Sequence, residues 1–546
     1  MNAIPNITVK PVHAWRRWSV LGFMLLGAFS VLGRAFQLQV VEREFLTHEG
    51  DKRHIRTLTI PGHRGAITDR RGEPLALSAP VEAVWAVPSA LLESPRHVYA
   101  KANLLQKKPR EFQKFLEDRK DKKFVYLTDP MNPADAQRIL SLKAPGVFSE
   151  SSYARYYPAG EVAGQIVGFC GRDGNGLEGM ERAQQDLLGG IDGARRVIRD
   201  RAGRVVEDTQ EAREARSGQD LRLTIDLRLQ YLAYRELKAA VAKNRARGGL
   251  IVIADSRNGE ILAMAAQPGF NPNNPEERTS AGLRNRAVVD SFEPGSTVKP
   301  LLVAQALELG MYKPGSIIDT APGFFKVGAL TVRDVHPQGM IDLAHVLSKS
   351  SNVGAAKIGL SMGAEAVWSG YQRFGFGEAV KSGFPAEAMP TLRRYSEWGQ
   401  IATATASYGY GISVNALHLV RAYSALANDG LMAPLRLVDN APRVPPQRAV
   451  SVETARAVRG LMEGTTETGG TAVAASIPGY RVSGKTGTIR KIVEGGGYAS
   501  DRHQSVFIGM VPAEHPRLVG LIMIDEPSAG DYYGGLVSGP VFSSVM

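Results

Sequence analysis

The most one-sided hydrophobic pattern lies at the start of the chain. Residues 1–17 carry Lys10, Arg16 and Arg17 and no acid, Trp18 to Gly33 has no charge, and after Arg34 the apolar run resumes to Val41. At ~1.5 Å per residue this stretch is long enough to cross a hydrocarbon core of ~30 Å. The basic flank predicts a cytoplasmic tail over 1–17 and a span over 18–41, with Arg34 snorkelling to the outer interface. No A-x-A cleavage site follows, so a retained anchor is expected, not a signal peptide. Residues 42–60 are charged and read as a stalk. From 61 to 220 the chain is rich in Gly, Arg and short strand-like runs. Arg64 to Leu75-Ala76 reads as strand and turn, and Gly174 to Glu181 as a Gly-rich turn entering a helix. Neither offers a nucleophile or base, so both read as structural.

The pattern changes again near Leu223, where a domain spanning 221–546 is expected to begin. A helix through Gln230, Leu232 and Leu237 precedes two apolar runs, Leu250 to Asp255 and Glu260 to Met264, around Asn258-Gly259. That pairing predicts a hairpin. Residues 297–430 read as mostly helical, ending at Asn428-Asp429-Gly430. Strands follow at Tyr480 to Ile492, Ser505 to Val511 and Arg517 to Asp525. The order predicts a mixed α/β domain, one antiparallel sheet with helices on both faces.

At 546 residues and 44% hydrophobic the chain holds two or more ordinary domains. The net charge of +12 is dispersed. Its densest cluster, Lys101 to Lys123, is broken by Glu111, Glu117, Asp118 and Asp121 and reads as a solvated helix face, with no nucleic-acid partner. Cys170 is the single cysteine, which excludes an intrachain disulfide and a cysteine metal site. Neither a metal nor a cofactor is expected.

The candidate chemistry begins at Ser296-Thr297-Val298-Lys299. On a helix, positions three apart share a face, so a hydroxyl and an amine project together. A serine needs a base, and a lysine serves as one when burial or a second cation lowers its pKa. Val298 to Leu309 is almost entirely apolar, Pro300 falls in the first turn, and Gly310 stops the helix. Ser350-Ser351-Asn352 follows as a loop between helices, Tyr408 to Gly411 as a Gly-spaced aromatic turn, and Lys485-Thr486-Gly487-Thr488 on a strand. S-x-x-K, S-x-N and K-[ST]-G in this order, roughly fifty and then over a hundred residues apart, mark penicillin-interacting serine enzymes. Gly479 to Thr486 also spells a P-loop, but Pro478 precedes it and an extended run follows where that motif needs a helix.

On these motifs, with Arg155 to Pro158, Phe292 to Pro300, Lys349 to Gly354, Tyr408 to Ser413, Asp525 to Pro527 and Gly534-Gly535, the chain resembles a class B penicillin-binding protein, of the Gram-negative division-specific D,D-transpeptidase type (penicillin-binding protein 3 type). The resemblance implies a serine-β-lactamase-like transpeptidase domain over 221–546 above an elongated pedestal (dimerisation-like) domain over 61–220. It implies Ser296 as the nucleophile acylated by D-Ala-D-Ala stem peptides, Lys299 as its base, Ser350 as the proton relay and Asn352 as holder of the substrate amide. Lys485, Thr486 and Thr488 would bind the terminal carboxylate, and the N–H groups of Ser296 and Thr488 would form the oxyanion hole, with Gly487 between. Tyr410, Tyr532 and Tyr533, with His503, are candidate cleft walls; surface aromatics in a loop are the alternative. The implied setting is septal peptidoglycan synthesis in the periplasm at the inner membrane, β-lactam inhibition, and partnership with a SEDS-family glycosyltransferase and other division proteins. A D,D-carboxypeptidase or β-lactamase-type hydrolase, or a β-lactam-binding sensor or division scaffold without turnover, are the other readings. Two departures stand out: Thr486 where close relatives often have Ser, and an end at Met546 where relatives continue into a longer helix packed on the sheet, which predicts a less stable sheet.

Overall fold

The computed structural model describes residues 14–46, 55–60, 62–171, 173–199, 205–441, 444–493 and 495–546. Residues 1–13 of the expected tail and 47–54 of the expected stalk lie outside the described residues. A helix begins at Ala14, runs to Phe36 and continues as a π-helical turn over Gln37–Val41. Its 28 residues present exposed apolar side chains throughout. Its length fits a single-pass membrane anchor. Arg34 donates to Gln37 Oε1 (2.8 Å), so its charge turns toward the helix end, the geometry of a snorkelling side chain.

The next region contains a three-stranded antiparallel ribbon (Ile55–Ile60, Gly193–Arg199 and Val205–Arg213) and a long pair formed by Pro74–Ala86 and Val147–Tyr156. The stretches Arg64–Ala76 and Gly174–Glu181 meet here. Arg64 Nε lies 2.6 Å from one Glu181 carboxylate oxygen and Arg155 Nε 2.7 Å from the other, all three side chains buried. A buried carboxylate shared by two guanidiniums is costly to break, which supports the structural reading of both stretches. The basic cluster needs one correction. Lys101 is fully buried and donates to Ile139 O (2.6 Å), and burial lowers its pKa to about 8. It shares an inward helical face with Val98 and Ala102, so helical periodicity overrode its charge.

The C-terminal domain is built on a five-stranded antiparallel sheet: β1 (Gly248–Asp255), β2 (Ile261–Gln267), β3 (Ser483–Ile492), β4 (Tyr498–Val511) and β5 (Leu518–Asp525), in the order β2-β1-β5-β4-β3. The expected hairpin is β1–β2. Gly259 sits at φ +71°, and a Cβ there would fall 2.0 Å from Pro434 O. Successive residues of β1 and β5 enter opposite cores, as strand alternation requires. Leu250, Val252, Leu521 and Met523 join a core with α2 (Lys299–Glu308) and α4 (Ala416–Ala427). Ile251, Ile253, Ile522 and Ile524 join a second core with α1 (Leu227–Lys243) and α5 (Gly539–Val545). The stretch 297–430 is less helical than its apolar content suggests. It contains two small hairpins, Ile317–Asp319 with Met340–Asp342 and Phe324–Val327 with Leu330–Arg333. Gly328 turns the second at φ +55°.

The short C-terminal helix covers the sheet despite its length. Phe542 is fully buried with its ring 4.8 Å from that of Phe507. Gly509 and Gly520 leave the room it fills, since a Cβ on either would lie 3.0–3.3 Å from the Phe542 ring. Phe542→Ala is expected to destabilise the domain by about 3–5 kcal/mol, measured as the loss in unfolding free energy by urea denaturation.

Candidate active site

Ser296 lies in a 3-10 turn, Gly295–Val298, which runs directly into α2 at Lys299. Two glycines seat this turn. Gly295 adopts φ +52° and donates to Gly409 O (3.0 Å), and a Cβ on Gly409 would sit 2.1 Å from Gly295 O. The Gly-spaced aromatic turn is therefore the cradle of the serine loop. Tyr423 of α4 donates to Thr297 O (2.7 Å) from the other side. Ser296 is left half-buried while Lys299 is wholly enclosed.

Lys299 Nζ lies 2.6 Å from Ser350 O, 2.7 Å from Asn352 Oδ1 and 3.2 Å from Ser350 Oγ. Lys485 reaches the same hydroxyl from β3: its Nζ lies 3.0 Å from Ser350 Oγ. Ser350 Oγ thus lies within hydrogen-bonding reach of both amines, placed to relay a proton between them. Its backbone adopts φ +59°, uncommon for a non-glycine residue. Burial and the Lys485 cation both push the Lys299 pKa well below the ordinary lysine value, with Asp334 opposing them. Burial lowers Lys485 to about 7. Two buried amines sharing one hydroxyl disfavour double protonation.

Asp334 is a member of this site that sequence reasoning missed. Its carboxylate accepts from Ser351 Oγ (2.7 Å), Asn352 N (2.5 Å) and Val353 N (2.9 Å), anchoring α3 (Asn352–Met362) and with it the Ser350 turn. Removing an acceptor from buried donors costs about 1–3 kcal/mol per group. Asp334→Ala is expected to lower stability by about 2 kcal/mol or more. Asp334→Asn keeps the backbone acceptor but removes the charge that opposes Lys299 deprotonation. The acidic limb of its acylation profile is expected to move to lower pH, read from penicillin-labelling rates across pH.

β3 is an edge strand, so among the described residues one side of its backbone has no neighbouring strand. It passes close to the nucleophile: a Cβ on Gly487 would meet Thr297 Cγ2 at 3.0 Å. Thr486 Oγ1 is 3.3 Å from Lys485 Nζ and 3.1 Å from Thr471 Oγ1, and Thr488 Oγ1 accepts from Gly534 N (3.1 Å). Both hydroxyls accept from the protein and retain a proton to donate. Lys485 and Thr486 lie mid-strand, β3 runs on to Ile492, and the next element is strand β4, so the P-loop spelling has no helix to cradle a phosphate.

The aromatic candidates group at the Arg490 end of β3. Tyr410 packs edge-on against Tyr408 and Tyr498, at 5.7 and 5.4 Å between centroids. Glu293, three residues before Ser296, accepts from Gly411 N (2.7 Å) and Tyr498 Oη (3.3 Å), and burial raises its pKa. Tyr532 stacks on His503 (4.3 Å) and Tyr533 (4.6 Å), and its carbonyl accepts from Ser505 Oγ (2.5 Å). These rings form an ordered stack on β4, whose His503 pairs in register with Arg490 of β3. Lys299, Ser350, Asn352, Lys485 and Thr486 are joined by hydrogen bonds; Tyr532 and Tyr533 stand apart from that network. Asp334 and Thr471 carried no motif to expose them, and Glu293 lay inside the Phe292 to Pro300 stretch without a role of its own. The one usable signal was Glu293 beside the Pro294-Gly295 turn.

Residues 249–546 match the family described as the penicillin binding protein transpeptidase domain, and residues 59–223 the penicillin-binding protein dimerisation domain. The chain is 40% identical over 541 residues to the probable peptidoglycan D,D-transpeptidase PenA of Neisseria meningitidis, covering 98% of this chain and 93% of that protein. It is 38% identical over 538 residues to peptidoglycan D,D-transpeptidase FtsI of Escherichia coli, covering 98% and 91%. The structure of penicillin binding protein 3 from Mycobacterium tuberculosis complexed with aztreonam superposes with a TM-score of 0.70 at 26% identity, covering 89% of this chain and 95% of that one.

Proposed function

Because the chain belongs to the penicillin-binding protein transpeptidase family, we infer that it is a peptidoglycan D,D-transpeptidase that also binds β-lactams. The observation that carries the mechanism is the network in which Lys299 and Lys485 both reach the Ser350 hydroxyl, one helical turn from the half-exposed Ser296. Ser296 Oγ attacks the carbonyl between the two terminal D-alanines and Lys299, neutral through burial, takes its proton. The oxyanion meets the N–H groups of Ser296 and Thr488, each such donor being worth about 3–4 kcal/mol. Lys485 with the Thr486 and Thr488 hydroxyls holds the terminal carboxylate, and Asn352 the substrate amide. Ser350 passes a proton to the departing D-alanine amine. An amine of a second stem peptide then attacks the acyl-enzyme and forms the cross-link. Tyr410, Tyr532 and Tyr533 wall the end of the cleft where the donor peptide enters.

The arrangement along the chain fits this work: a cytoplasmic tail over 1–17, a span over 18–41, a stalk over 42–60, a pedestal over 61–220 and a catalytic domain over 221–546 in the periplasm. Likeness to FtsI supports a septal role beside a SEDS-family glycosyltransferase and other division proteins. The deciding experiment incubates the protein with a thioester donor and a D-amino acid. Formation of the amide exchange product is expected. Release of free acid alone would mark a hydrolase, and no turnover with retained penicillin labelling would mark a sensor or scaffold.

A further inference from the structure

One groove of about 410 Å³ is left unused by that mechanism. Ser348 and Lys349 form one wall, Gly464, Glu467 and Gly469 the other, and Arg481 lies at the foot of β3. Lys349 Nζ reaches across it to Gly469 O (2.7 Å). The groove meets the active site twice. Lys349 immediately precedes Ser350, and Gly470 precedes Thr471, whose hydroxyl is 3.1 Å from that of Thr486.

Its position follows the direction of β3. From Arg481 the strand side presents Lys485 and Thr486, then Thr488, then Arg490 beside the aromatic groups. With the terminal carboxylate on Lys485 and the two threonines, the leaving D-alanine lies toward the Lys485 end. The body of the donor must run the other way, toward Arg490 and Tyr498. An acyl transfer and its reverse share one transition state, so the attacking amine takes the place of the leaving amine. A single amino acid fits that place alone. A peptide whose amine attacks has to continue outward from it, past Ser350 and Thr486.

We propose that this groove is the acceptor-peptide site, which seats a second peptide bearing a free amine and carboxylates, with one carboxylate on Lys349. The proposal rests on the transpeptidase reading above. Arg481 is paired with Glu463 (2.6 Å), so exposed Lys349 and Glu467 add one further cation and one further anion, which suit a peptide carrying both signs. In the transfer the neutral amine nitrogen bonds to the ester carbon, the carbon–Oγ bond of Ser296 breaks, and one amine proton ends on Ser296 Oγ.

The test uses the full chain in detergent with a thioester donor and two acceptors, D-alanine and a short peptide bearing a side-chain amine and two carboxylates. In Lys349→Ala the ratio of peptide product to D-alanine product is expected to fall about tenfold, with most of it recovered in Lys349→Arg. Thr468→Trp, on an exposed loop lining the groove, is expected to lower the same ratio by obstruction and carries the test if Lys349→Ala misfolds. An unchanged ratio in Thr468→Trp and in folded Lys349→Ala overturns the groove assignment while leaving the transpeptidase reading standing. A wild-type protein that yields only free acid overturns both.

Discussion

Ser296→Ala is expected to abolish labelling of the protein by fluorescent penicillin, a loss of at least about a thousandfold. The size follows from the surroundings. The two hydroxyls nearest in the chain motifs are committed: Thr297 donates to Pro294 O (2.7 Å), and Ser350 sits between two lysine amines in a left-handed backbone conformation. Neither can replace a nucleophile carried on the first turn of α2. The substitution removes one oxygen from a half-buried side chain, so stability should change by no more than about 0.5 kcal/mol. Thermal unfolding separates loss of chemistry from loss of fold. A labelled band that survives in a folded Ser296→Ala protein would sink the nucleophile assignment.

Replacing Lys299 with Ala should cost about a hundredfold to ten-thousandfold in acylation, the range for a general base, and should change the pH profile. Burial disfavours the ammonium, and Lys485 disfavours it further, so Lys299 is deprotonated well below the usual lysine range. Its base form fills as pH rises, and kcat/KM for acylation climbs on the acid side. Lys485 must stay charged to hold the carboxylate, and its value is lowered to about 7. Therefore kcat/KM should fall as pH passes about 7. The two steps belong to the coupled pair. In kcat the alkaline limb should move upward, because a bound carboxylate favours the ammonium. Lys299→Ala should lose the acid limb and keep the alkaline one. A wild-type kcat/KM that rises without a break through pH 9 would refute the role of Lys485. The same lowered lysine value has a folding consequence. Between about 7 and ~10.4 the unfolded chain binds more protons, so stability contributed by Lys485 rises with pH in that window.

Much of this architecture is legible in the sequence. The anchor, the β1–β2 hairpin, the helix after Ser296 and the three late strands each announce themselves by period or by a turn dipeptide. Each rests on neighbours within about twenty residues. The three catalytic motifs were legible because nucleophilic chemistry restricts residue types at short spacing. Where reading failed, the deciding partner was distant. Lys101 reads as solvated because the charged run from Lys107 to Lys123 follows it, but its amine is buried against Ile139 O, 38 residues away. The hairpins within 317–342 are hidden in an apparently helical block because short apolar runs do not reveal their period.

By itself the sequence determined which groups are available and in what order: a hydroxyl and an amine one helical turn apart, a second hydroxyl and amide, a second amine on a strand, and an apolar span to anchor them. Only the tertiary structure decided what those groups are. It brings Lys485 within 3.0 Å of a hydroxyl 135 residues away in the chain, sets Asp334 against the S-x-N turn, and encloses both amines so that their charge becomes costly. A lysine becomes a base through desolvation and a neighbouring cation. Both are properties of the surrounding fold, and no local pattern in the chain encodes them.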